Sequence, residues 1–490
     1  MADSRRWWAL VVIALAQLMV VLDMTIVNIA LPSAQADLNM SDGNRQWVIT
    51  AYTLAFGGLL LLGGRIADLA GRRNTFMVGL LGFAAASALG GAATGQGMLF
   101  GARALQGVFA ALLAPSALSL LATTFTDPKD RGRAFGVFGA IVGAGAAIGL
   151  IAGGFLTEYL DWRWCLYVNV PVALVAFAGA WMLLAAGERH PDAHLDVPGA
   201  LLGSGGMLAL VYGFSEAESR GWGDALVLTL LFGGLALLGL FALWQTRARV
   251  PLLPMSVVRD RQRVGAFLTT LLVTVGMFGV FLFLTYYMQG VLGYSPVRTG
   301  LAYLPLTAGM IVGSTQIAAR LLNRVPPRTL MVPGLLLAAG ALALIAQVGV
   351  APAYASHVLP GMIMLGLGMG TAMMTSVSLA TGSVAPRDSG AASATFNTAQ
   401  QVGGSIGTAL LNTIAASVTS RYLVAHGGPG VDRRAVQAEA TVHGFNVATW
   451  WAMGALLLAA LIAGVVVDAP RAPMPHRAET APEPVESRAG

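Results

Sequence analysis

Fourteen apolar stretches that carry almost no charge follow one another along this chain. A helix of roughly 20 apolar residues spans the hydrocarbon core of a bilayer. Gly and Ala are frequent inside these stretches, as is typical of helices that pack closely in lipid. We therefore expect an all-α integral membrane protein with fourteen transmembrane helices. The predicted spans are residues 8–30, 46–64, 75–95, 97–124, 134–157, 163–186, 197–215, 223–245, 264–290, 299–321, 329–349, 355–381, 389–417 and 445–468.

The composition excludes most soluble classes of protein. The 490 residues are 56% hydrophobic and 11% charged, whereas soluble chains are about 25% charged. The net charge of +6 comes from basic residues that lie between the apolar stretches rather than in one patch, so nucleic acid is not an expected partner. The sequence contains no P-loop and no metal-ligand cluster. We therefore expect no enzyme, no cofactor and no metal.

The distribution of basic residues predicts the orientation in the membrane. With the N-terminus placed in the cytoplasm, 21 basic residues fall on the cytoplasmic side, seven fall outside, and Arg103 alone lies deep within a span. Because Lys and Arg are concentrated in cytoplasmic loops, both termini are predicted to be cytoplasmic. The richness in Ala, Gly and Arg with a single Lys indicates a high-GC bacterial genome. The expected location is thus the bacterial cell (inner) membrane, as a multi-pass protein.

The chain also repeats itself. Residues 128–134 read P-[KR]-D-x-G-x-A, and residues 386–392 repeat that pattern 258 positions later. At the same offset, Gly145 corresponds to Gly403. Two parallel six-helix halves are typical of transporters whose substrate site lies between the halves near the membrane centre. The predicted division is 1–190 for the N-terminal six-helix half, 191–250 for two extra helices, 251–468 for the C-terminal six-helix half and 469–490 for a disordered cytoplasmic tail.

Four motifs carry a resemblance to a known family. Residues 64–73, G-R-I-A-D-L-A-G-R-R, resemble the G-x-L-A-D-x-x-G-R-[KR] motif of the major facilitator superfamily. Residues 22–32 look like the first-span motif of its fourteen-span drug:proton antiporters. R-x-x-Q-G at 103–107 and W-R-W leading to N-V-P at 162–171 are similar to the motifs of spans four and six. The resemblance implies the major facilitator fold and multidrug or antibiotic efflux.

The fifth-span antiporter motif of this family, G-x-x-x-G-P-x-x-G-G, is present with one change. Leucine stands at position 150 where the family has proline. Glycines permit close approach of helices, whereas the kink that proline would introduce is lost. We therefore expect a fifth helix that packs closely but without that kink. The four predicted helix-packing glycines are Gly145, Gly149, Gly153 and Gly154.

Two ionisable residues inside spans, Asp23 and Arg103, are the candidate proton-coupling residues. A carboxylate in hydrocarbon is costly unless it is paired, protonated or faces a water-filled cavity. Desolvation disfavours its charged form, and proton carriers require such a group. Arginine stays protonated and therefore needs polar partners such as Gln106 or a carboxylate. The alternatives are a solvated or capping Asp23 near a helix end, and an Arg103 that only ties helices together.

The turn between spans two and three is the candidate conformational latch. Asp68 lies between Gly64 and Gly71, and Arg72 and Arg73 follow. We expect these residues to hold the two halves in one state of an alternating-access cycle, through ion pairs and a helix end. The alternative is that Arg72 and Arg73 only fix the cytoplasmic side of the helices, as basic residues commonly do. That alternative does not explain Asp68.

The predicted substrate path uses Asn28 and Gln106 of the first half and Met369 and Met373 of span twelve. Flexible thioethers suit an apolar pocket of broad specificity, although helix packing is the simpler explanation of a methionine-rich span. Beyond Asp23, no Asp or Glu lies deep in a span. We therefore expect neutral or monocationic substrates to be preferred over divalent cations.

These features together predict a proton-coupled exporter of small, largely apolar organic molecules such as drugs or antibiotics. The expected partners are that substrate, protons and the lipid bilayer, and we expect a monomer. One alternative is a facilitator-type importer or uniporter of a nutrient or metabolite, whose site would carry more fixed polar side chains. A membrane sensor or intramembrane enzyme is a second alternative, disfavoured because the chain has no soluble catalytic or signalling domain.

Overall fold

The computed structural model describes residues 3–41, 44–125, 127–184, 196–248, 251–253, 255–322, 324–350, 354–381, 384, 389–426 and 432–467. The predicted tail 469–490 and the repeat residues 386–388 lie outside the described part of the chain. The backbone of Asp68 is described, but its side chain is not. The latch prediction for Asp68 therefore rests on its position alone.

Fourteen helices, labelled α1 to α14, follow one another along the chain. The first six are α1 Asp3–Asp37, α2 Trp47–Ala70, α3 Arg72–Gly91, α4 Gln96–Thr124, α5 Pro128–Tyr159 and α6, which comprises Trp164–Tyr167 and Asn169–Leu183. The next two are α7 Val197–Arg220 and α8 Ala225–Gln245, followed by a short turn of helix at Met255–Val258.

The last six helices are less regular, because three of them contain π-helical turns. Helix α9 is Arg261–Tyr286 followed by the π turn Tyr287–Val291. Helix α10 consists of Pro296–Ala302, Leu304–Val312, the π turn Gly313–Ala318 and Ala319–Leu321, and α12 consists of the π turn Tyr354–Val358 and Leu359–Thr381. The other three are α11 Arg328–Ile345, α13 Ser389–His426 and α14 Arg433–Val466.

Twelve of these helices are long and apolar enough to cross a membrane. The remaining two, α2 and α5, contain the shorter apolar stretches Trp47–Leu60 and Ile148–Tyr159. The prediction of an all-α membrane protein with fourteen spans is therefore confirmed. The helix ends differ from the predicted ones, since α1, α13 and α14 run well beyond their apolar stretches.

Several helix boundaries follow from local chemistry. Gly71, with a φ of 91°, is the single residue between α2 and α3, and glycine tolerates this left-handed backbone better than other residues. The carboxylates of Asp196, Asp224, Asp260 and Asp432 accept backbone N–H groups at the starts of α7, α8, α9 and α14. Such caps satisfy N–H groups that the first turn of a helix leaves without partners.

Helices α1–α6 pack against one another, as do α9–α14, and we call these sets the N-half and the C-half. Helix α7 packs against α2 of one half and α13 of the other, while α8 packs on α7. The two halves use glycine in the same way. Gly145 of α5 lies against Leu18 of α1, and Gly403 of α13 lies against Leu271 of α9. This shared packing is what a duplicated unit would produce.

The two halves are joined at the end of the bundle where α1 finishes, which we call the Gln35 end. The Tyr286 hydroxyl of α9 donates a hydrogen bond to Gln35 Oε1 at 2.5 Å. The Arg45 guanidinium lies 4.1 Å from the centre of the Tyr286 ring and donates to Asn412 Oδ1 of α13 at 3.5 Å. Asn412 in turn donates to Gln46 Oε1 at 3.4 Å.

Helices α5 and α10 close the same end from another side. The backbone N–H of Val297 donates to the Glu158 carboxylate at 2.9 Å. A Cβ on Gly154 would lie 2.6 Å from the carbonyl oxygen of Pro296, so the two backbones touch here. Gly300 packs in the same way against the Leu150 carbonyl. The Gln35 end is therefore closed by backbone packing as well as by polar side chains.

Candidate functional site

The centre of the N-half contains a buried ion pair between α1 and α4. Asp23 has no exposed surface, and Arg103 is 2% exposed. Arg103 Nη1 lies 2.5 Å from Asp23 Oδ2. The alternative of a solvated or capping Asp23 is therefore wrong, because this carboxylate is enclosed by protein.

Two amides complete the surroundings of the Asp23 carboxylate. Gln106 Nε2 of α4 donates to Asp23 Oδ1 at 3.0 Å, and Asn169 Nδ2 of α6 donates to the same oxygen at 2.8 Å. Arg103 and Gln106 stand three positions apart on α4 and therefore share one helix face. The carboxylate thus receives hydrogen bonds from one charged and two neutral donors.

Arg103 is held from several directions. Its Nε donates to the Val48 carbonyl of α2 at 2.9 Å, and its Nη1 also donates to Gln106 Oε1 at 2.8 Å. The guanidinium lies 4.5 Å from the centre of the Tyr52 ring, a cation–π arrangement. Gln106 is itself anchored, since its Nε2 donates to Ser87 Oγ of α3 at 2.7 Å. Four helices of the N-half therefore position the guanidinium.

Two buried polar atoms beside the ion pair have no hydrogen-bond partner in the described structure. They are the hydroxyl of Tyr52 and Oδ1 of Asn169. Tyr52 is fully buried, and Asn169 is 1% exposed. Buried polar atoms are normally paired with protein or with ordered water. The site therefore has polar atoms available for water next to Asp23 and Arg103.

The surroundings of the ion pair offset the cost of burying its two charges. Burying two charges is costly, and their attraction repays the cost only when the geometry is good and further hydrogen bonds are present, as they are here. The hydrogen bonds from Gln106 and Asn169 therefore help to hold the Asp23–Arg103 pair where α1, α4 and α6 meet.

Sequence reasoning assigned part of this site and missed the rest. It placed Asp23, Arg103 and Gln106 among the functional residues, and the structure brings these three together. It quoted Asn169 within a motif but gave it no role, and it omitted Tyr52 and Ser87. An asparagine inside an otherwise apolar span was the available signal for Asn169.

The other residues predicted for the substrate path lie in different surroundings. Asn28 Nδ2 donates to the Met24 carbonyl one turn earlier in α1, at 2.9 Å. Met369 is 2% exposed in the C-half core, and Met373 packs against the same core. A role in packing accounts for the positions of both methionines, and a contact of these residues with substrate stays a prediction.

The residues of the predicted latch make contacts within the N-half. Arg73 Nη2 donates to the Trp181 carbonyl of α6 at 2.8 Å, and its guanidinium lies 5.4 Å from the centre of the Trp181 ring. Gly64 faces Pro115 of α4. Arg72, which starts α3, is also engaged in contacts. A latch between the halves at these residues stays a prediction.

The four glycines of the fifth-span motif lie at helix contacts. A Cβ on Gly149 would overlap the Thr25 hydroxyl of α1, and one on Gly153 would lie 2.9 Å from Ile26 Cγ1. Gly145 also faces α1, whereas Gly154 faces α10 of the C-half. Helix α5 continues unbroken through Leu150, the position at which the family has proline. The glycines therefore allow α5 to pack closely on both α1 and α10.

Two six-helix sets joined by a further pair of helices, with a buried ion pair inside one set, have the construction of a membrane transporter. The chain belongs to the Major Facilitator Superfamily, whose family model matches residues 13–408. It is therefore a transporter and not an enzyme.

Similarity to individual proteins agrees with this assignment. The chain is 58% identical over 468 residues to the puromycin resistance protein pur8 of Streptomyces alboniger, covering 95% of this chain and 92% of that protein. It is 39% identical over 417 residues to the cephamycin export protein CmcT of Amycolatopsis lactamdurans, covering 84% and 85%. The solved structure of a bacterial homolog of the human lysosomal transporter Spinster matches with a TM-score of 0.68 at 16% identity, covering 95% and 98%. That structural match supports the fold alone.

Proposed function

We propose that this protein exports small, largely apolar organic antibiotics across a bacterial cell membrane in exchange for protons. The observation that carries the proposal is the buried Asp23–Arg103 ion pair, which offers a single protonatable carboxylate in the middle of the N-half. The relatives support the export of antibiotics, since one is named for puromycin resistance, another for cephamycin export and a third for tetracenomycin C resistance and export.

The excess of basic residues on one side supports an orientation with both termini in the cytoplasm. Helix α1 then finishes on the outer side of the membrane, so the Gln35 end faces outward. The contacts of Tyr286, Arg45 and Asn412 at that end support a conformation that loads substrate from the cytoplasm or the inner leaflet.

The transport cycle uses the two states of the ion pair. Substrate enters from the inner side while Asp23 is ionised and paired with Arg103. The halves then rock, the Gln35 end opens, and a proton from outside neutralises Asp23 as substrate leaves. The return movement carries that proton inward, where its release restores the ion pair. One proton thus enters the cell for each substrate exported by this scheme.

The energy available from one proton is adequate. Moving one charge across the membrane is worth ~2.3 kcal/mol per 100 mV. At roughly 150 mV this amounts to ~3.5 kcal/mol, which supports a gradient of a neutral substrate of roughly a few hundredfold, since ~1.4 kcal/mol corresponds to tenfold. Exchange of a monocation for one proton moves no net charge, so the pH difference alone drives it.

The charge of the site restricts the substrate. The negative charge of Asp23 is already balanced by Arg103, so it offers little attraction to a second positive charge. Within the described residues, the only other buried acid is Asp196, which caps α7 and accepts hydrogen bonds from Trp244 and Gln245. Neutral and monocationic molecules are therefore the proposed substrates, with dications handled poorly.

The test of this function is Asp23→Asn in a host that lacks its own drug pumps. We expect the wild type to confer resistance, and its inverted vesicles to accumulate drug only while the vesicle interior is acidic. The variant should lose both properties, because asparagine cannot bind and release a proton. Asp224→Asn, at a helix cap that asparagine can also form, is the matched control and should behave like the wild type.

The panel should include puromycin, a monocationic dye and a dicationic antiseptic. Accumulation of drug against a gradient by the Asp23→Asn variant would contradict proton coupling through this residue. Equal efflux of dications and monocations would contradict the proposed substrate class while leaving the coupling intact.

A further inference from the structure

A small cavity of about 10 Å³, room for about one water molecule, lies against Arg103 inside the N-half. Its wall is formed by α1, α2, α4 and the residues 162–166 around the start of α6, with no contribution from the C-half. Apart from the Arg103 guanidinium, the side chains that line it are apolar or weakly polar, among them Val27, Leu31, Trp162 and Cys165. This space is thus separate from the contact between the two halves.

The cavity extends along the face of α1 that carries Asp23. Val27, Leu31 and Ala34 line it at four, eight and eleven positions after Asp23, a spacing that keeps all of them on one side of a helix. At its inner end is Arg103, the partner of Asp23. The cavity therefore begins at the ion pair and follows α1 toward the Gln35 end.

Charged residues stand at the outer end of this row. The indole N–H of Trp162 donates to Asp37 Oδ2 at 3.1 Å, and Arg163 Nη1 lies 2.7 Å from the same oxygen. The side chain of Asp37 is 46% exposed. The apolar cavity thus occupies the space between a buried ion pair and a second, exposed one.

We propose that this cavity is the route by which protons move between Asp23 and the Gln35 end, and that its apolar wall closes the route in the conformation described here. The inference rests on the proposed proton coupling and adds a path to it. Substrate passes between the halves, whereas the proton passes within the N-half.

The physical reason is hydration. A proton needs a chain of hydrogen-bonded water, and a buried water needs two to four polar partners, so a cavity with apolar walls stays dry. Hydrophobic constrictions in channels close in the same manner, by losing their water. A dry cavity keeps protons from Asp23 while the Gln35 end is closed, as antiport requires. A small separation of α1 from α6 would admit water.

Polar atoms for the first water are already present beside the ion pair. Asn169, which bonds to Asp23, and Tyr52, which stacks on Arg103, each have one buried polar atom without a partner in the described structure. Water that enters the cavity would therefore find hydrogen-bonding groups at the place where it must deliver the proton.

The test is to make the wall polar. Val27→Thr combined with Leu31→Ser adds two hydroxyls and space for water, and purified protein in liposomes is then given a pH gradient without drug. We expect the gradient to decay about tenfold faster than with wild type, equivalent to a barrier lower by about 1.4 kcal/mol. Val11→Thr with Leu105→Ser makes the same changes at exposed positions of α1 and α4 and should match the wild type.

A further variant shows whether the leak follows the proposed route. Adding Asp23→Asn to the polar-wall variant should abolish the leak, because the proton path passes through that carboxylate. A leak no faster than that of the exposed control, or one that survives Asp23→Asn, would overturn the proposal. Drug transport by the wild type, driven by the pH gradient in the same liposomes, is measured in parallel. Failure of the proposed function is thereby distinguished from failure of the proposed proton route.

Two measurements cover the case in which the polar-wall variant does not fold. Cys165 is the only cysteine in the chain and lines the cavity, so its reaction with a small neutral thiol reagent reports water there. We expect slow labelling of the wild type that speeds up severalfold when a pH gradient and drug drive turnover. Ala34→Val, a small enlargement, fills the cavity and should slow gradient-driven transport severalfold without changing drug binding. Labelling that does not respond to turnover, or full transport by the filled variant, would contradict the route.

Discussion

Asp23 and Arg103 depend on each other more than on the rest of the protein. Both are almost completely buried, and among the described residues each is the only charged partner of the other. Loss of one partner leaves an uncompensated charge in a medium of low polarity, whereas loss of both leaves none. The stability and the function of this pair should therefore respond differently to substitution.

We expect Asp23→Asn and Arg103→Gln each to destabilise the protein by about 3–5 kcal/mol, and the double variant to recover most of that loss. Thermal unfolding of the purified protein in detergent measures the effect. Transport should remain absent in the double variant, because no protonatable group is left. A single variant as stable as the wild type would show that the remaining charge finds another partner, and would remove the basis for treating the pair as a unit.

At the scale of helices, the contact between α5 and α1 depends on glycine. The Thr25 hydroxyl of α1 donates to the carbonyls of Val21 and Leu22 at 3.1 and 3.0 Å, and it occupies the space that a side chain at Gly149 would need. A Cβ at Gly149 would also lie 3.1 Å from Thr25 Cβ. Since a β-branched side chain in a helix has few rotamers, Thr25 has little freedom to move aside.

Gly149→Ala is therefore expected to destabilise the protein by about 1–3 kcal/mol and to reduce drug resistance. Adding Thr25→Ala should restore part of both, because it removes the overlapping hydroxyl. Gly101→Ala is the control, since nothing lies within 4 Å of the new Cβ. Unfolding temperature and growth in the presence of drug are the measurements. Equal effects at positions 101 and 149, or no recovery with Thr25→Ala, would contradict the proposed overlap.

The helices themselves were largely predictable, because hydropathy identifies the segments that lie in the hydrocarbon core of the bilayer. The same signal ends at the membrane surface, so it placed the end of the thirteenth span at 417 although α13 continues to His426, and it began the last span at 445 although α14 starts at Arg433. In these extensions, helix formation depends on a cap at Asp432 and on contacts such as Tyr422 with Glu439. Neither contributes to an apolar stretch.

The site was predictable only where charge made it conspicuous. A carboxylate and a guanidinium within apolar spans are too costly to be accidental, so Asp23 and Arg103 stand out. Neutral partners such as Tyr52 and Asn169 carry no such penalty, and only the packing of α2 and α6 shows that they surround the pair. Bonds between the halves were beyond prediction, because Arg45 and Asn412 are 367 positions apart.

In the whole molecule, the contacts that close the Gln35 end determine which parts must separate during transport. Tyr286 with Gln35 and Arg45, and Glu158 with α10, join the two halves, so these contacts must break when that end opens. Helix α7 packs on α2 and on α13 and thus remains in contact with both halves. In the proposed cycle, the hydrogen bonds at the Gln35 end oppose opening, and substrate release cannot occur before they are broken.

Joining the two halves permanently at the Gln35 end should stop transport after substrate has bound. Gln35→Cys with Tyr286→Cys, in a chain whose only native cysteine is replaced by Cys165→Ala, places one thiol in each half at positions whose side chains touch. A short, cleavable crosslinker is expected to abolish drug export while drug binding is retained, since the end that loads substrate stays free. Cleavage should restore export, and each single-cysteine chain should be unaffected by the reagent. Transport at the full rate by crosslinked protein would show that the Gln35 end does not open during the cycle, and the direction of movement proposed here would then be wrong.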